Sequence, residues 1–451
     1  MASSSARPVA AIILAAGKGT RMKSDTHKVL HPLGGRPMLM HLLASLDQLA
    51  PERRVVVVGD KAEQLRTALA GTDVQLAVQE PQLGTGHAVL QAESALSGFG
   101  GVALILFGDV PLVRPETLQR LVASVENGAA IAVLGFRPAV PGAYGRVIAD
   151  AGGHILKMVE AKDATPEELA VPLCNAGLMA VDASQLFALL KRVRNDNAAG
   201  EYYLPDIVIL ATEAGAECRV LEAGPDEVIG VNSRGELAEA EALFQQRRRA
   251  ELMAAGVTLT APETVFLSFD TMIGRDTLVE PNVVFAPGVT IADGATIRAF
   301  SHLEGARVAS GCEVGPYARL RPGTVLEQGA KVGNFVETKK AVLGPGAKAN
   351  HLTYLGDATV GAKANIGAGT ITCNYDGYGK YQTVIGEGAF IGSNSALVAP
   401  VTIGDGAIVA AGSAITQDVA ADALALVRPP QVSKAGWAAR FRAAALARKG
   451  K

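Results

Sequence analysis

The sequence predicts an α/β domain followed by a solenoid of short parallel strands. Short aliphatic runs that alternate with helical patterns indicate the first fold, and a six-residue repeat of aliphatic residues indicates the second. Of the 451 residues, 49% are hydrophobic and 19% are charged, which is sufficient for two or three folded cores. Glycine is abundant and aromatic residues are sparse, as is typical of a solenoid packed with small aliphatic side chains.

The α/β domain is predicted over residues 1–232. Four aliphatic runs suit strands that are buried on both faces of a sheet: Val9–Leu14, Val55–Val58, Val102–Phe107 and Ile131–Leu134. Three patterns between these runs predict helices: Met38–Leu49, Glu63–Leu69 and Thr117–Val125. This alternation predicts a Rossmann-like parallel sheet with right-handed crossovers.

A connecting helix is predicted over residues 233–256. Ser233 and Glu236 form a capping-box pattern at its start, and Gly256 is a natural stop at its end. An apolar stripe lies between them, made of Leu237, Leu243 and Phe244.

The solenoid and a C-terminal tail are predicted over residues 257–451. The aliphatic anchors recur at six-residue intervals with one slip and one interruption: Ile273, Val279, Phe285, Ile291, Ile297, Leu303, Val308, Val314, Leu320, Leu326, Val332, Ile385, Ile391, Leu397, Ile403, Val409 and Ile415. This period indicates a coil in which each hexapeptide supplies one short strand and three hexapeptides complete one turn, and we expect about seven regular coils. The tail carries the single tryptophan, Trp437, and a basic helix-like stretch, Ala438–Lys451.

Composition excludes several classes of protein. Lys and Arg together number 42 against 44 Asp and Glu, so the chain lacks the basic excess on which nucleic-acid binding rests. The four cysteines are far apart in sequence and are expected to be reduced thiols. No apolar run is long enough to span a membrane, and the N-terminal residues do not form a signal peptide. We therefore expect a cytoplasmic protein.

A glycine-rich loop follows the first predicted strand. Gly17 and Gly19 allow a tight turn whose N–H groups can bind an anion, while Lys18, Arg21 and the later Lys28 add positive charge. The loop departs from the dinucleotide-binding pattern at its third glycine position, and the phosphate-loop pattern GxxxxGK is absent. The loop therefore predicts an anion site outside those two motifs.

Asp109 follows the third predicted strand and should face the same site. Ligands of a parallel sheet bind at the carboxyl ends of its strands, where both the loop and Asp109 lie. Because a carboxylate beside a polyphosphate needs a cation between them, Asp109 is a candidate metal ligand. Gln79 and the turn Gly84–His87 lie between the loop and Asp109 in the sequence and are candidates for reading a nucleotide base. Taken singly, the glycine-rich segment could be only a turn, and the aspartate could be only a helix cap. We expect His27, His31 and His87 to be structural rather than catalytic.

The N-terminal motifs resemble the sugar-nucleotide pyrophosphorylase family. They are the loop at 14–22, Lys28, Gln79, Leu83–Ala88, Gly108–Leu112, Tyr144–Arg146, Val159–Glu160 and Asn175–Gly177. More closely, they resemble the bacterial bifunctional N-acetylglucosamine-1-phosphate uridyltransferase / glucosamine-1-phosphate acetyltransferase family. Phe107 and His27 depart from its pattern without removing a charged group.

That resemblance implies a binding site for UTP and the UDP-sugar. Its residues would be Leu14, Ala15, Ala16, Gly17, Arg21, Lys28, Gln79, Gly84, Thr85, Gly108, Asp109, Gly145, Glu160, Asn175 and Asn232. Asp109 and Asn232 would hold Mg²⁺. The implied reaction is an in-line displacement at the α-phosphorus of UTP, which needs positioning and charge neutralisation rather than a protein nucleophile.

Two irregular segments of the solenoid are candidates for a second site. One is Asn350–Asp357, which contains His351, and the other is the interruption at Thr370–Thr383. An imidazole can accept a proton near neutral pH, although a lone histidine on a repeat face is more often structural. Arg321, Lys339 and nearby polar residues favour catalysis.

These segments resemble the acetyltransferase half of the same family. His351 would be the general base that deprotonates the 2-amino group of glucosamine-1-phosphate. The amino-sugar phosphate would contact Arg321, Lys339, Tyr354 and Asn365. Acetyl-CoA would contact Ala368, Asn374, Tyr375, Ser393, Ala411 and Arg428. The resemblance further implies a left-handed β-helix, a homotrimer, and a product that feeds peptidoglycan and lipid A synthesis.

Two alternative functions stay open at this point. A monofunctional sugar pyrophosphorylase would use the β-helix only for assembly or regulation, and would not need His351 or the loop around Asn374. A non-catalytic scaffold or nucleotide sensor would not need Asp109, Lys28 and Arg21 together.

Overall fold

The structure, a computed structural model, describes residues 7–449. The first six residues and the end of the basic stretch, at 450–451, lie outside the described residues. The chain divides into two compact units between Arg247 and Arg248. Helix α8, whose range is given below, contains this division.

The first unit is built around one mixed sheet. Its strands are β1 (Val9–Ala15), β2 (Pro32–Leu33), β3 (Arg36–Pro37), β4 (Arg53–Val58), β5 (Gln75–Val78), β6 (Val102–Phe107), β7 (Ile131–Phe136), β8 (Arg146–Ala149), β9 (Ile155–Val159), β10 (Cys174–Asp182) and β11 (Cys218–Glu222). Its helices are α1 (Met38–Asp47), α2 (Ala62–Ala68), α3 (Thr85–Leu90), α4 (Pro115–Glu126), α5 (Pro166–Leu169), α6 (Ala183–Leu190) and α7 (Asp206–Glu213), and α8 (Arg234–Ala254) follows. Two 3-10 turns are Thr20–Met22 and Lys28–Leu30.

The strand order in the main sheet is β11-β7-β10-β6-β1-β4-β5. The four predicted strands correspond to β1, β4, β6 and β7, and their aliphatic residues are buried on both faces of the sheet. This double burial explains why they read as unbroken apolar runs. The carboxyl ends of β1, β4 and β6 meet at one edge, since these strands are parallel.

The prediction of a purely parallel sheet was wrong at β10. This strand is antiparallel to both neighbours, β6 and β7. Between β7 and β10 the chain forms the β8–β9 hairpin and the four-residue helix α5 instead of a full crossover helix. Without such a crossover the chain returns in the opposite direction.

The second unit is a parallel β-helix. Its strands β12 to β36 are, in order, Thr258–Leu259, Phe266–Leu267, Met272–Ile273, Leu278–Val279, Val284–Phe285, Thr290–Ile291, Thr296–Ile297, His302–Leu303, Ala306–Val308, Glu313–Val314, Arg319–Leu320, Thr324–Leu326, Lys331–Asn334, Glu337–Leu343, Lys348–His351, Tyr354–Val360, Asn365–Ile366, Ile371–Cys373, Thr383–Ile385, Phe390–Ile391, Ala396–Val398, Val401–Ile403, Ile408–Val409, Ala414–Ile415 and Leu424–Ala425. A 3-10 turn lies at Pro262–Thr264, and α9 (Trp437–Lys449) forms the tail.

The β-helix has three faces, which we number. Face 1 is the ladder β12-β15-β18-β21-β24-β26-β28-β31-β34-β36. Face 2 contains β13, β16, β19, β22, β25, β27, β29, β32 and β35, and face 3 contains β14, β17, β20, β23, β30 and β33. The long strands β25 and β27 continue from face 2 to face 3 around a corner at Lys340 and Asp357, which have φ of 45° and 47°.

The predicted aliphatic anchors point inward and are buried in one continuous core. Face 1 nevertheless has ten strands, so the estimate of about seven coils was too low. The coil continues between Val332 and Ile385, where the six-residue pattern is interrupted. In this interval small or polar residues take inward positions, namely Thr338, Ala349 and Thr372, and all three are buried. Neighbouring coils also stack closely: a Cβ on Gly392 would lie 2.4 Å from the backbone nitrogen of Ala411.

Candidate functional sites

Two adjoining clefts lie at the carboxyl edge of the main sheet. The first, which we call the loop cleft, has a volume of about 350 Å³. The second, the sheet-edge cleft, has a volume of about 330 Å³. Both are lined by Thr85, Phe107, Asp109 and Asn232. A ligand in one cleft can therefore reach a ligand in the other past these four side chains.

Most of the predicted nucleotide and sugar residues line these clefts. Those in the loop cleft are Leu14, Ala15, Ala16, Gly17, Lys28, Gln79, Gly84, Thr85, Asp109 and Asn232. Those in the sheet-edge cleft include Gly145, Glu160 and Asn175. Arg21 is exposed on the turn after the loop and lines neither cleft. Gly108 lies behind the lining, where its N–H donates to the Leu14 carbonyl over 3.0 Å.

The floor of the loop cleft depends on Gly84. Its φ is 109°, and a Cβ there would lie 2.7 Å from the Tyr202 carbonyl oxygen. Thr85 starts α3 and its hydroxyl accepts a hydrogen bond from the Leu204 N–H over 3.0 Å. The segment around Tyr202 thereby closes one side of the cleft, and only glycine fits between it and α3.

Lys28 lies between Asp109 and Asn232. Its ammonium forms an ion pair with the Asp109 carboxylate and donates to Asn232 Oδ1 over 2.8 Å. Asp109 follows β6 after one residue. Asn232 lies two residues before the start of α8, and its N–H donates to Glu236 Oε2. Two oxygen ligands thus converge on one cation.

The same two oxygens suit a magnesium ion. Mg²⁺ prefers oxygen ligands and is commonly held by one or two protein groups together with substrate phosphates and water. Within residues 7–449 no group of three or more His, Cys, Asp and Glu side chains is arranged to hold a metal. A metal at this edge would therefore depend on the Asp109–Asn232 pair and on the substrate.

The sheet-edge cleft contains a half-buried carboxyl group, that of Glu160. Burial raises the pKa of Glu160, and the nearby Asp206 and Asp163 raise it further. Glu160 lies against Gly145, where a Cβ would be 3.3 Å from Glu160 Oε1. A carboxyl group in this position can accept hydrogen bonds from hydroxyl groups of a sugar.

His351 lies at the end of face 1, where that face meets face 2. Its Nδ1 is 2.7 Å from Oδ1 of Asn334, its strand partner in the previous coil. Because a carbonyl oxygen can only accept, Nδ1 carries the proton and Nε2 keeps a free lone pair. A cleft of about 620 Å³ adjoins the ring and is lined by further polar groups, including Lys331 and Lys348. The side chain of His351 is exposed and can act as a base.

The predicted phosphate-binding residues gather at the corner between faces 2 and 3. Arg321 donates to Glu337 over 2.7 Å. The pKa of Lys339 is lowered by its hydrogen bond and repulsion with Lys380, and Arg321 adds to the repulsion. The Asp357 carboxylate offsets only part of this repulsion, so the two adjacent ammonium groups form a candidate anion site.

Tyr354 and Asn374 meet close to that corner. A Cβ on Gly356 would lie 2.4 Å from the Tyr354 hydroxyl and 2.8 Å from the Asn374 amide nitrogen. Asn374 donates to the Asp357 carboxylate. The absence of a side chain at Gly356 therefore lets these two polar groups converge.

Asn365 is separated from this cluster. It lies on β28 of face 1, with Ile366 inward and its own side chain outward. Tyr354 lies on face 2 of the same chain. The structure thus divides the predicted amino-sugar residues between two faces.

The predicted acetyl-CoA residues form a row along the corner between faces 1 and 2. The Asn394 N–H donates to the Ala368 carbonyl over 2.8 Å, and the Gly412 N–H donates to the Ser393 carbonyl over 2.8 Å. Arg428 continues the row by donating to the Ala411 carbonyl over 2.6 Å. The other two predicted residues, Asn374 and Tyr375, begin the loop 374–382, which leaves the coil between β29 and β30.

Three residues that the sequence did not indicate belong to these sites. Lys380 lies beside Lys339, Asp357 holds Asn374, and Glu201 lines the loop cleft. Lys380 and Asp357 lie in the two irregular segments of the solenoid. A charged residue at an interruption of the repeat could therefore have indicated that both belong to the site. Nothing in the local sequence distinguishes Glu201, because it reaches the cleft through a distant loop.

A cleft beside a glycine-rich loop at the edge of an α/β sheet, joined in one chain to a hexapeptide β-helix, is the arrangement of a two-unit transferase. Comparison with known families agrees. Residues 11–196 match the MobA-like NTP transferase domain. Residues 270–305 match the bacterial transferase hexapeptide repeat, and residues 382–417 match the hexapeptide repeat of succinyl-transferase.

The chain belongs to the GlmU family of bifunctional proteins. It is 66% identical over 436 residues to bifunctional protein GlmU of Sphingopyxis alaskensis, covering 96% of each chain. It is 56% identical to that of Zymomonas mobilis, covering 97% and 98%, and 62% identical to that of Rhizorhabdus wittichii, covering 97% of each. The chain is thus a bifunctional enzyme with a uridyltransferase unit and a hexapeptide acetyltransferase unit, as the resemblance of its motifs implied.

Membership in this family also rules out the two alternative functions. A non-catalytic sensor and a monofunctional pyrophosphorylase are both inconsistent with full-length identity to bifunctional proteins. Within residues 7–449 no helix is long and apolar enough to cross a membrane.

Proposed function

We propose that the chain acetylates glucosamine-1-phosphate with acetyl-CoA and then transfers UMP from UTP to N-acetylglucosamine-1-phosphate, releasing pyrophosphate. The observation that carries the uridyl-transfer step is the pair of adjoining clefts that share Asp109 and Asn232. UTP would occupy the loop cleft and the sugar phosphate the sheet-edge cleft. The attacking phosphate oxygen and the α-phosphorus would then meet where the clefts join.

Three charged or polar groups would act at that junction. Asp109 and Asn232 would hold Mg²⁺, which when bound neutralises charge on the phosphates. Lys28 would move from Asp109 to the UTP phosphates, because a magnesium ion and an ammonium group repel each other at one carboxylate. Positioning and charge neutralisation are what such a transfer requires.

His351 would be the base for acetyl transfer. Its Nε2 is free to remove a proton from the 2-amino group, which then attacks the thioester carbon of acetyl-CoA and expels the CoA thiolate. Arg321, Lys339 and Lys380 would bind the phosphate of the amino sugar. The row of Ala368, Ser393, Ala411 and Arg428 would lie along the acetyl-CoA chain.

A homotrimer would complete the acetyl site. Asn365 points outward from face 1, while Tyr354 lies on face 2, so a neighbouring chain would supply one of these two contacts to the sugar phosphate. An exposed stack of Phe300, Tyr317 and Phe335 along the corner between these faces, with ring centroids 4.9 and 5.2 Å apart, offers an apolar contact surface. We also propose a cytoplasmic location, since UTP and acetyl-CoA are metabolites of that compartment.

A product assay tests this proposal. Purified protein is given glucosamine-1-phosphate, acetyl-CoA, UTP and Mg²⁺, and free CoA thiol, pyrophosphate and the UDP-sugar are measured. All three should accumulate, and pyrophosphate should also form when N-acetylglucosamine-1-phosphate replaces the amino sugar and acetyl-CoA. Absence of CoA thiol, or pyrophosphate release that does not require a sugar phosphate, would refute it.

A further inference from the structure

Lys28 and Asn232 come from distant parts of the chain, and two separate contacts join their segments. In the first contact the Lys28 ammonium donates to Asn232 Oδ1 over 2.8 Å. In the second, a guanidinium nitrogen of Arg234 lies 3.2 Å from Nδ1 of His31. Because His31 follows Lys28 closely in sequence and Arg234 follows Asn232 closely, the same two segments are connected twice.

The arginine determines the direction of the second hydrogen bond. A guanidinium group can only donate, so Nδ1 of His31 is the acceptor and the proton of the neutral ring lies on Nε2. The side chain of His31 is buried. Burial lowers the pKa of His31, and the charge of Arg234 lowers it further, so the ring is neutral at pH 7. Arg234 therefore donates to a buried, neutral imidazole.

Local hydrogen bonds transmit this contact to the site on both sides. The His31 N–H donates to the Lys28 carbonyl over 3.3 Å and closes the 3-10 turn that contains Lys28. On the other side, Glu236 accepts a hydrogen bond from the Asn232 N–H over 2.8 Å, within the turn where Arg234 begins α8. The position of Arg234 relative to His31 thus sets the position of Asn232 relative to Lys28.

Arg234 and His31 lie outside the lining of both the loop cleft and the sheet-edge cleft. They would therefore act on a substrate through Lys28 and Asn232. We propose that Arg234 is a positioning residue for uridyl transfer, which holds the Lys28 segment in place for the UTP phosphates by donating to His31. The inference rests on the proposed function and deepens it by naming a residue that orients the cation of that site.

The second contact is needed because the first one is temporary. The bond between Lys28 and Asn232 must break when the ammonium moves to UTP. The contact between Arg234 and His31 lies outside the clefts and can persist through that movement. It keeps the two segments at a fixed separation, so that less ordering of the site is required when UTP binds.

A further contact along α8 keeps the chain after His31 on the helix. The Gly34 N–H donates to Glu241 Oε2 over 2.8 Å, and the Phe244 ring occupies the space where a side chain of Gly34 would lie. Arg234 itself is exposed. Removing its guanidinium group should therefore loosen the first turn of α8 against His31 without unfolding the first unit.

Four single variants separate this role from a merely structural one. Arg234→Met removes the donor, and His31→Leu removes the acceptor. His31→Asn keeps an acceptor, because Oδ1 of asparagine can take the position of Nδ1. Arg66→Met is the matched control, since Arg66 is an exposed arginine of α2 that pairs with Glu63. The full-length protein is assayed below the unfolding transition of each variant, and kcat/KM for UTP is measured from pyrophosphate release at saturating N-acetylglucosamine-1-phosphate and Mg²⁺.

The value of kcat/KM for UTP should fall about tenfold in Arg234→Met and in His31→Leu, roughly the effect of one hydrogen bond. The double variant should lose no more than either single variant, because both substitutions remove the same contact. His31→Asn and Arg66→Met should stay within about twofold of the parent.

A second measurement tests whether Arg234 acts through Lys28. The dissociation constant of UTP is determined by calorimetry without the sugar phosphate. It should rise in Arg234→Met, and in the Lys28→Met protein it should not rise further when Arg234→Met is added. This comparison is sufficient by itself if His31→Leu does not fold.

Three results would overturn the inference. The first is an unchanged kcat/KM for UTP in Arg234→Met. The second is additive losses in the double variant of Arg234 and His31. The third is an equal weakening of UTP binding by Arg234→Met with and without Lys28.

The parent enzyme distinguishes failure of this inference from failure of the proposed function. If the parent forms pyrophosphate and the UDP-sugar and Arg234→Met is equally active, only the role of Arg234 is wrong. If the parent forms neither product, the proposed uridyl transfer itself is wrong.

Discussion

His351 donates its Nδ1–H to the side-chain oxygen of Asn334 over 2.7 Å, across two successive coils of the β-helix. The backbone register of face 1 sets this pairing, because the two residues are strand partners. The bond selects the tautomer with a free Nε2. A rigid scaffold thus supplies a histidine in the form that a general base requires.

Replacing Asn334 should impair acetyl transfer through His351. Asn334→Leu removes the acceptor and should lower kcat for CoA release about tenfold, roughly the value of one hydrogen bond. His351→Ala should lower it by about 10²–10⁴. Uridyl transfer by the same preparations is the control and should not change. If Asn334→Leu further slowed the His351→Ala enzyme, Asn334 would have a role beyond positioning the ring.

Asp109→Asn should abolish pyrophosphate release and leave acetyl transfer near normal. The substitution keeps the shape of the side chain but removes the charge that attracts Lys28 and would attract Mg²⁺. Removing divalent metal with a chelator should have the same selective effect on the parent enzyme, reversed by added Mg²⁺. Both activities are measured on one sample. Loss of acetyl transfer in a folded Asp109→Asn protein would contradict two independent sites.

The sequence predicts the scaffold of both units better than it predicts their polar contacts. Val102–Phe107 is an apolar run because both of its faces are buried, so the run itself reveals the strand. The second half of β10, residues 178–181, is equally buried, yet the direction of the strand depends on the hairpin before it. Burial determines that a strand exists, and chain connectivity determines which way it runs.

The candidate sites likewise contain some features that follow from general rules and others that depend on the details of the fold. Asp109 and the glycine loop could be placed together from the rule that strand ends share one edge. The pairing of His351 with Asn334 requires the exact register of two coils, and the slip in the six-residue repeat shows that this register is not constant. The contact between Nδ1 of His87 and the Gln79 amide nitrogen, 3.1 Å apart, likewise follows from no spacing rule.

Removing Lys380 should weaken binding of the amino-sugar phosphate. Its ammonium lies within hydrogen-bond distance of Lys339 and lowers the pKa of that residue, an effect that the nearby Asp357 carboxylate only partly offsets. Lys380→Met should raise KM for glucosamine-1-phosphate about tenfold, the loss of one charge-assisted hydrogen bond, with a smaller change in kcat. Lys363→Met, a lysine on another coil, is the matched control. Equal effects of the two substitutions would exclude a specific role for Lys380.

Asp206→Asn should stabilise the first unit above neutral pH. Burial raises the pKa of Asp206 from 3.8 to about 6, and repulsion from Asp196 and Asp163 contributes. The folded protein therefore binds this proton more tightly than the unfolded chain does. The resulting stabilisation is complete below pH 3.8 and is lost as the pH rises to about 6.

The asparagine side chain resembles the protonated carboxyl group and avoids this loss. The gain at pH 7.5 should be on the order of 1 kcal/mol, less than the full shift implies because the group is only partly buried. It should disappear near pH 4. Urea unfolding of the first unit in the intact protein, followed at both pH values, measures the difference between variant and parent. In an Asp196→Asn background the gain should shrink, since one source of repulsion is then gone. An equal gain at pH 4 and pH 7.5 would show that packing, rather than the charge of Asp206, is responsible.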